Sequence, residues 1–263
     1  MILVGIPPFD DWNKYIKNNN IIIDSLSSTK KINRIILRNN INIIIPLSYQ
    51  QMKFLSENFV KYFCLCPNNY DIVCALDNKS EFVLLAKKYN FEQYLPNTYV
   101  ANDDRIEYPC ILKPCVSCGG NGINLFLTEL DKNETLKSMN NKKNLANYII
   151  QEYIIDDYEY VGNFVVINGK IIFQMFFKQK YDGLYVKKQN MNNFEIICLN
   201  TDVFSKIFSS IKYTGAACVD FKIIREIIKI FEINPRFGGT FITNGYFMLA
   251  IDELVYYVNS NNW

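Results

Sequence analysis

One stretch constrains this chain more than any other: Lys229-Ile-Phe-Glu-Ile-Asn-Pro-Arg-Phe-Gly-Gly-Thr240. Its first half has the pattern of a β-strand, in which side chains alternate between two faces. Ile230, Glu232 and Asn234 are therefore expected on one face, and Phe231 on the other. A carboxylate and an amide oxygen on one strand face suit a hard cation such as Mg²⁺, which takes oxygen ligands. The strand thus predicts one half of a metal site.

The residues that follow this strand predict a loop beside a ligand. Pro235 has no N–H to donate and ends the strand. Arg236 then lies just beyond the strand end. Gly238 and Gly239 lack a Cβ, so the backbone at this point is expected to approach a ligand closely.

The segment upstream supplies a pairing partner for the same strand. Residues 216–224 and 227–234 form an antiparallel hairpin pattern with its turn at 225–226. This pairing brings Asp220 close to Glu232. Two neighbouring acids repel each other unless a cation lies between them, so the pair favours a metal site over a purely structural role.

The sequence contains no histidine among its 263 residues. This excludes histidine acid–base chemistry, Ser-His-Asp triads and most zinc sites. Any catalysis must depend on lysine, arginine, carboxylates, a bound metal or backbone groups.

Composition indicates a globular, cytoplasmic protein. Hydrophobic residues make up 49% of the chain and charged residues 21%, and the net charge of +2 gives no support to a nucleic-acid partner or a membrane-surface partner. We find no apolar run long enough for a membrane span. The eight scattered cysteines are typical of reduced thiols. For Cys115-Val-Ser-Cys118, an incidental pair of cysteines in a loop is favoured over a redox or metal-binding function.

Residues 1–76 alternate short apolar runs with helical patterns, which favours a small parallel α/β unit. The predicted strands are 2–6, 21–23, 41–45 and 62–65. The predicted helices are 10–17, 27–39 and 48–58. No GxGxxG motif follows the first strand, so a structural or substrate-docking unit is favoured over a dinucleotide site.

A short strand, Tyr108–Pro114, carries Lys113 near its end and leads into a glycine-rich segment. Gly119, Gly120 and Gly122 make a loop whose N–H groups can surround phosphate oxygens, with the lysine as a nearby positive charge. The order of a P-loop is absent. An ordinary turn remains an equally good interpretation of these residues.

A second hairpin pattern runs through residues 164–167 and 170–177, because Asn168-Gly169 suits a type I′ turn. Four lysines follow its second strand, and a solvated sheet edge is the simplest interpretation of them: Lys178, Lys180, Lys187 and Lys188. After these come a predicted helix over 201–212 and another over 244–258.

Taken together, these motifs resemble the ATP-grasp superfamily, nearest to its carbamoyl-phosphate-synthetase-like and carboxylate–amine ligase branches. The resemblance covers nearly the whole chain and rests on five motifs in the expected order. The motifs are Asp77-Asn-Lys79…Phe82 with Pro96-Asn-Thr-Tyr99, Pro109-Cys-Ile-Leu-Lys113-Pro, Gly119-Gly-Asn-Gly122, Gln151-Glu-Tyr-Ile-Ile…Tyr158-Glu159-Tyr, and Val219-Asp-Phe…Phe231-Glu-Ile-Asn-Pro-Arg-Phe-Gly-Gly.

The resemblance implies a role for each matching position. Lys113 and the glycine loop would contact the ATP phosphates, and Lys178 is the preferred second phosphate-binding lysine, with Lys180, Lys187 and Lys188 left open. Glu152 and the backbone around Tyr153 and Ile154 would bind adenine. Glu159 would hold the ribose. Asp220, Glu232 and Asn234 would bind one or two Mg²⁺, or Mn²⁺ in their place, and Arg236 would face the acyl phosphate or the substrate carboxylate.

The resemblance also implies an architecture and an activity. A pre-ATP-grasp α/β unit (1–76) would precede two α+β subdomains (77–152 and 153–263) that bind ATP between them. Assembly into a homodimer is left as one alternative. The implied reaction activates a small-molecule or peptide carboxylate as an acyl phosphate for attack by an amine. Two alternatives remain: an ATP-dependent phosphotransferase, and a nucleotide-binding protein without turnover.

Overall fold

The computed structural model describes residues 1–5, 11–16, 18–59, 63–67, 69–100, 103, 105–117, 122–140, 145–180 and 194–261. Its strands, numbered along the chain, are β1 (Ile2–Gly5), β2 (Ile21–Asp24), β3 (Ile43–Pro46), β4 (Phe63–Cys64), β5 (Thr98–Tyr99), β6 (Cys110–Pro114), β7 (Asn124–Phe126), β8 (Tyr148–Glu152), β9 (Tyr158–Ile167), β10 (Lys170–Lys180), β11 (Phe194–Ile197), β12 (Gly215–Ile224) and β13 (Ile227–Asn234).

Helices cover the sheets, and polar side chains fix where several of them begin. The α-helices are α1 (Thr29–Asn39), α2 (Tyr49–Asn58), α3 (Tyr70–Asp77), α4 (Lys79–Lys88), α5 (Glu129–Asn140), α6 (Asp202–Ser210), α7 (Gly239–Thr243) and α8 (Phe247–Ser260). Ser28, Ser48 and Asn78 accept hydrogen bonds from the first-turn N–H groups of α1, α2 and α4. These caps satisfy donors that have no partner within the helix.

The first sheet confirms the predicted parallel α/β unit. Its strand order is β2-β1-β3-β4 and every pair is parallel. β1 and β3 are buried along their whole length, as expected for strands covered on both faces. The direction in which successive strands are added to the sheet reverses between β1 and β3. α2 begins just after the carboxyl end of β3. Its first residue, Tyr49, therefore lies at the sheet edge where α/β proteins bind ligands.

The second sheet also has four strands, in the order β5-β8-β6-β7, and it is antiparallel. It packs a compact core that includes Cys110, Leu112, Phe126 and Ile150. Lys113 lies on β6 of this sheet, directly opposite Ile149 of β8.

The third sheet is antiparallel, with the order β11-β10-β9-β12-β13, and it has two different faces. One face packs against α8 and the first sheet through side chains such as Val161, Val165 and Phe177. The other face packs against α4 and α6 through Phe164 and Phe221, among others. The mixed α/β architecture of three sheets agrees with the predicted fold class.

The alternation expected along β13 is wrong at one position. Asp220 pairs with Glu232, but Phe221 pairs with Ile230, so Phe231 is an extra residue in a β-bulge. Ile230 therefore lies in the hydrophobic core behind the sheet instead of sharing a face with Glu232. A bulge rotates the side chains on either side of it relative to the regular pleat.

Several described elements differ from the sequence-based expectations. The helix predicted over 10–17 is a short 3-10 helix at Asp11–Lys14, and α7 lies where a loop was expected. β9 begins at Tyr158 instead of residue 164, because polar Glu159 and Asn163 interrupt the apolar pattern on one of its faces. α3 and β11 were not predicted. The side chain of Asn69 caps α3, and β11 adds a short edge to β10.

Two adjacent residues of α1 test the packing of the first unit. Ile36 is 6% exposed and packs in the core, whereas Leu37 is 78% exposed. We expect Ile36→Ala to lower the free energy of unfolding by about 2–5 kcal/mol, because it leaves a cavity. Leu37→Ala on the same helix should change it by less than about 0.5 kcal/mol. Urea unfolding followed by circular dichroism measures both, and equal losses would contradict the assigned register of α1.

Candidate functional site

Two acids and one amide converge where β12 pairs with β13. Asp220 is opposite Glu232 in the register. The side-chain amide of Asn234 donates to Glu232 Oε1 at 3.1 Å and to Asp220 Oδ2 at 3.5 Å. Burial, followed by the charges of Glu232 and Glu159, raises the pKa of Asp220 well above its usual range. The predicted pairing of the acids is thus present, and burial makes their negative charge costly without a cation beside it.

The donor set of this cluster fits a magnesium ion. Asp220 and Glu232 offer carboxylate oxygens, the donors that Mg²⁺ prefers, and Mg²⁺ usually takes its other ligands from water and substrate phosphates. The Asn234 amide turns its N–H groups to these acids and its Oδ1 to the Tyr49 hydroxyl. Across the residues that the structure describes, no group of three or more histidine, cysteine or acidic side chains could hold a metal. The cluster is therefore a half-site of two carboxylates and an amide, which needs further oxygens from a ligand.

A lysine that the sequence analysis gave no role completes the acidic cluster. Lys79, the first residue of α4, places its Nζ 2.9 Å from Glu232 Oε2 and 3.5 Å from Ser117 Oγ. Burial disfavours the Glu232 carboxylate, but Lys79 and two hydrogen bonds outweigh it, and the pKa of Glu232 falls below its usual range. The sequence feature that could have indicated a role for Lys79 is its place in the Asp77-Asn-Lys79 motif.

Lys113 lies in the same cluster and is only 8% exposed. Its Nζ donates to Gln151 Oε1 at 2.9 Å and lies 4.8 Å from the ring centroid of Phe231. Burial is the main cause that lowers the pKa of Lys113 to about 8, and the charge of Glu232 opposes it. The bulge in β13 places the Phe231 ring on this side, so the second and third sheets meet at Lys113.

Glu159 and Lys222 form the next part of the cluster. Burial raises the pKa of Glu159 to about 7, with Lys222 and Lys113 acting against it. Lys222 Nζ donates to the carbonyl oxygens of Ile154 and Asp156, each at 3.0 Å. Lys222 was missed because a strand lysine is usually a solvated one, and only the strand register shows that it faces Glu159.

The predicted adenine segment already has internal partners. Glu152 Oε2 accepts a hydrogen bond from the N–H of Asn97 at 3.0 Å. The N–H of Tyr153 donates to Pro109 O at 3.2 Å, and the carbonyl of Ile154 accepts from Lys222. These contacts fix the course of the segment, and adenine binding by these residues remains a prediction.

The structure does not bring Lys178 to the cluster. Lys178 pairs with Tyr160, on the face opposite Glu159, and its Nζ lies 4.1 Å from the ring centroid of Tyr158. A β-bulge at Ile172 shifts the register by one residue, so Gln179 stands opposite Glu159 instead. This placement gives no support to a phosphate contact by Lys178.

Other predicted positions fall at the edge of what is described. Gly122 has φ +77°, a conformation that favours glycine. Gly119, Gly120, Lys187 and Lys188 lie outside the described residues, as does Cys118 of the CxxC pair. Lys180 is exposed at the end of β10 and pairs with Tyr158.

Arg236 lies directly after β13, as predicted. Its Nη1 donates to Phe237 O at 3.0 Å, and its charge acts against the raised pKa of Asp220. The hydroxyl of Tyr49, from the first sheet's unit, donates to Asn234 Oδ1 at 3.4 Å. The cluster therefore borders all three sheets.

Gly238 serves packing within the protein, contrary to the expected approach to a ligand. Its N–H donates to Asn163 Oδ1 at 3.0 Å. An added Cβ would come within 2.9 Å of both Asn163 Oδ1 and Cys218 Sγ. For Gly239, a Cβ would meet nothing within 4 Å.

Comparison with solved structures finds the same fold in several enzymes. N5-carboxyaminoimidazole synthetase from Staphylococcus aureus aligns with a TM-score of 0.59 and 18% identity, over 90% of this chain and 64% of that one. Biotin carboxylase from Campylobacter jejuni, solved as a β,γ-ATP complex, gives 0.57 and 14%, over 84% and 56%. D-alanine–D-alanine ligase from Bacillus anthracis gives 0.55 and 13%, over 89% and 85%.

These similarities are too distant in sequence to show more than the fold. The chain spans little more than half the length of the biotin carboxylase that it matches. Comparison with curated proteins gives no match. Within the described part of the chain, no helix has the length and apolar character that a bilayer crossing requires.

The titration of Glu159 can be tested through stability. With a folded pKa of about 7 against an ordinary 4.5, folding loses stability as pH rises between these values, because only the unfolded state ionises there. Glu159→Gln removes this loss. The stability of the variant relative to wild type should rise by about 2 kcal/mol between pH 4.5 and 7.5, measured by urea unfolding. If the difference in unfolding free energy between variant and wild type is the same at both pH values, the carboxyl of Glu159 is not buried as described.

Comparison with family models finds a match, which covers more than half of the chain. Residues 78–240 match the ATP-grasp domain family, and this range contains Lys79, Lys113, Asp220 and Glu232. The chain belongs to the ATP-grasp family.

Proposed function

We propose that this protein is an ATP- and Mg²⁺-dependent ligase that joins a small-molecule or peptide carboxylate to an amine. The γ-phosphate of ATP passes to the carboxylate, which gives an acyl phosphate and ADP. The amine then attacks the acyl carbon and displaces phosphate. Membership of the ATP-grasp family supports ATP as the phosphoryl donor, and the ligases of similar fold support the class of reaction.

One observation carries the proposal: oppositely charged groups from two sheets and α4 converge in one buried cluster. Lys79 and Lys113 come from the side of α4 and the second sheet, and Asp220 and Glu232 from the third sheet. Phosphoryl transfer requires mainly positioning and neutralisation of charge. A nucleotide polyphosphate bound between the lysines and the acids would contact ammonium groups on one side. On the other side it would contact a metal held by the acids.

The individual roles proposed here are those that the resemblance to the family implies. Lys113 would neutralise phosphate oxygens, and its lowered pKa leaves the ammonium form dominant at neutral pH. Arg236, just beyond the acids, would orient the acyl phosphate or the substrate carboxylate. Glu159 would accept from the ribose hydroxyls, and the segment around Tyr153 would receive the base.

Magnesium, held by Asp220, Glu232 and Asn234, would supply charge neutralisation for the phosphates when bound. Asn234 Oδ1 accepts from the Tyr49 hydroxyl, so the amide would have to turn to offer this oxygen to the metal. Ile230 and Ile233 pack in the core behind the strand that carries Glu232. The chain's own contribution is thus a buried pair of carboxylates beside an amide.

The proposed division of the chain is a pre-ATP-grasp unit at 1–76 and subdomains at 77–152 and 153–263, with the cytoplasm as location. In this division the acceptor pocket would lie beside Arg236, near Tyr49 of the first unit. Tyr49 stands at the carboxyl end of β3, the edge at which parallel sheets receive ligands.

Acyl phosphate formation can be tested with hydroxylamine. The protein is incubated with ATP, Mg²⁺, panels of carboxylic acids and hydroxylamine, which traps an acyl phosphate as a hydroxamate. We expect hydroxamate together with ADP for at least one acid. ADP release that depends on a hydroxyl compound, without hydroxamate, would indicate a phosphotransferase. Tight ATP binding without turnover would indicate a nucleotide-binding protein.

The metal assignment can be tested with Glu232→Gln. Loss of one carboxylate should lower the rate of ADP release by roughly two to three orders of magnitude while the circular dichroism spectrum stays unchanged. Glu226→Gln, at the exposed turn of the same hairpin, is the matched control and should retain the wild-type rate. Equal rates in both variants would refute the assignment.

A further inference from the structure

The ammonium of Lys79 lies against Glu232, one of the two acids of the proposed metal half-site. Its side chain is buried, and its backbone N–H donates to Cys115 O at 2.8 Å, which ties the start of α4 to the segment after β6. From there Nζ reaches Glu232 Oε2 at 2.9 Å. The ammonium thus crosses from the side of the second sheet to the acids of the third.

The two oxygens of Glu232 have different partners. Oε1 accepts from the Asn234 amide at 3.1 Å, and the same amide reaches Asp220 Oδ2 at 3.5 Å. Oε2 is held by Lys79. Glu232 thus already has a cation against one of its oxygens, beside a second buried acid.

We propose that Lys79 is the resident counter-cation of the Asp220–Glu232 pair, so that a divalent metal binds these acids only together with nucleotide. This inference rests on the proposed function. A metal arriving alone would compete for the acid with which this buried ammonium is paired, and loss of that partner leaves a buried charge uncompensated, which is costly. Nucleotide phosphates supply that alternative anion.

Charge balance in the cluster supports the exchange. Three buried ammonium groups already stand in this cluster: that of Lys79 lies 2.9 Å from Glu232, and those of Lys113 and Lys222 donate to the neutral acceptors Gln151 and Ile154 O. A lone divalent cation would add positive charge to a cluster that is already compensated. A metal–polyphosphate complex brings its own negative charge, which the released ammonium can meet.

Removal of the ammonium should open the acids to metal without nucleotide. The probe is Mn²⁺, counted by electron paramagnetic resonance of the free ion, with no nucleotide present. We expect no saturable binding of Mn²⁺ to wild type at millimolar concentrations. Lys79→Met should bind Mn²⁺ saturably, with a Kd at least about tenfold below the highest Mn²⁺ concentration at which wild type shows no saturation. Lys79→Arg retains the charge and should exclude Mn²⁺ as wild type does. Lys79→Met combined with Glu232→Gln should lose the gained site.

Two outcomes would overturn the inference. One is saturable binding of Mn²⁺ to nucleotide-free wild type, which needs no variant to fold. The other is a folded Lys79→Met, checked by circular dichroism, that gains no Mn²⁺ binding. Lys79→Gln offers a second neutral variant if the methionine form is unstable. Because no ATP or acid is present, failure of this test is separate from failure to trap a hydroxamate.

Discussion

The placement of two buried acids side by side on neighbouring strands is the constraint on which the rest of the site depends. Asp220 and Glu232 are opposite each other because the hairpin of β12 and β13 pairs in that register. Such a pair is stable only with compensating charge. The fold provides this compensation with Lys79 from α4 and the bridging amide of Asn234. The acids therefore hold the third sheet against the part of the chain that carries the ammonium groups.

This constraint explains why lysines dominate the remainder of the site. Lys113 and Lys222 are both buried, although a buried ammonium loses its hydration. Each has specific acceptors: Gln151 for Lys113, and the carbonyls of Ile154 and Asp156 for Lys222. A chain without histidine can in this way hold a strongly polar centre for phosphate chemistry. Such chemistry does not require a side chain whose ordinary pKa is near 7.

Much of the fold and of the acidic cluster was predictable from the sequence. The alternation of apolar runs and helical patterns gave the parallel first unit, and the 216–234 hairpin gave the approach of Asp220 to Glu232. Two of the failures have the same cause, which is a β-bulge. In a regular hairpin through Asn168-Gly169, Lys178 would stand opposite Glu159, but the extra residue Ile172 puts it on the other face.

The bulge at Phe231 acts in the same way and sends Ile230 into the core. Alternation cannot reveal a bulge, since the inserted residue has no distinctive sequence. Lys79 was missed for a different reason: its contact with Glu232 joins residues distant in the chain, and helical pattern alone gives no sign of it.

The central claim is that the acids of β12 and β13 hold the metal of a bound nucleotide. Crystals grown with Mn²⁺ and a non-hydrolysable ATP analogue, measured at the manganese absorption edge, locate the metal directly by its anomalous signal. The account predicts a peak in contact with Asp220 and Glu232, with the phosphates toward Lys113. Nucleotide and manganese bound away from these residues would contradict it.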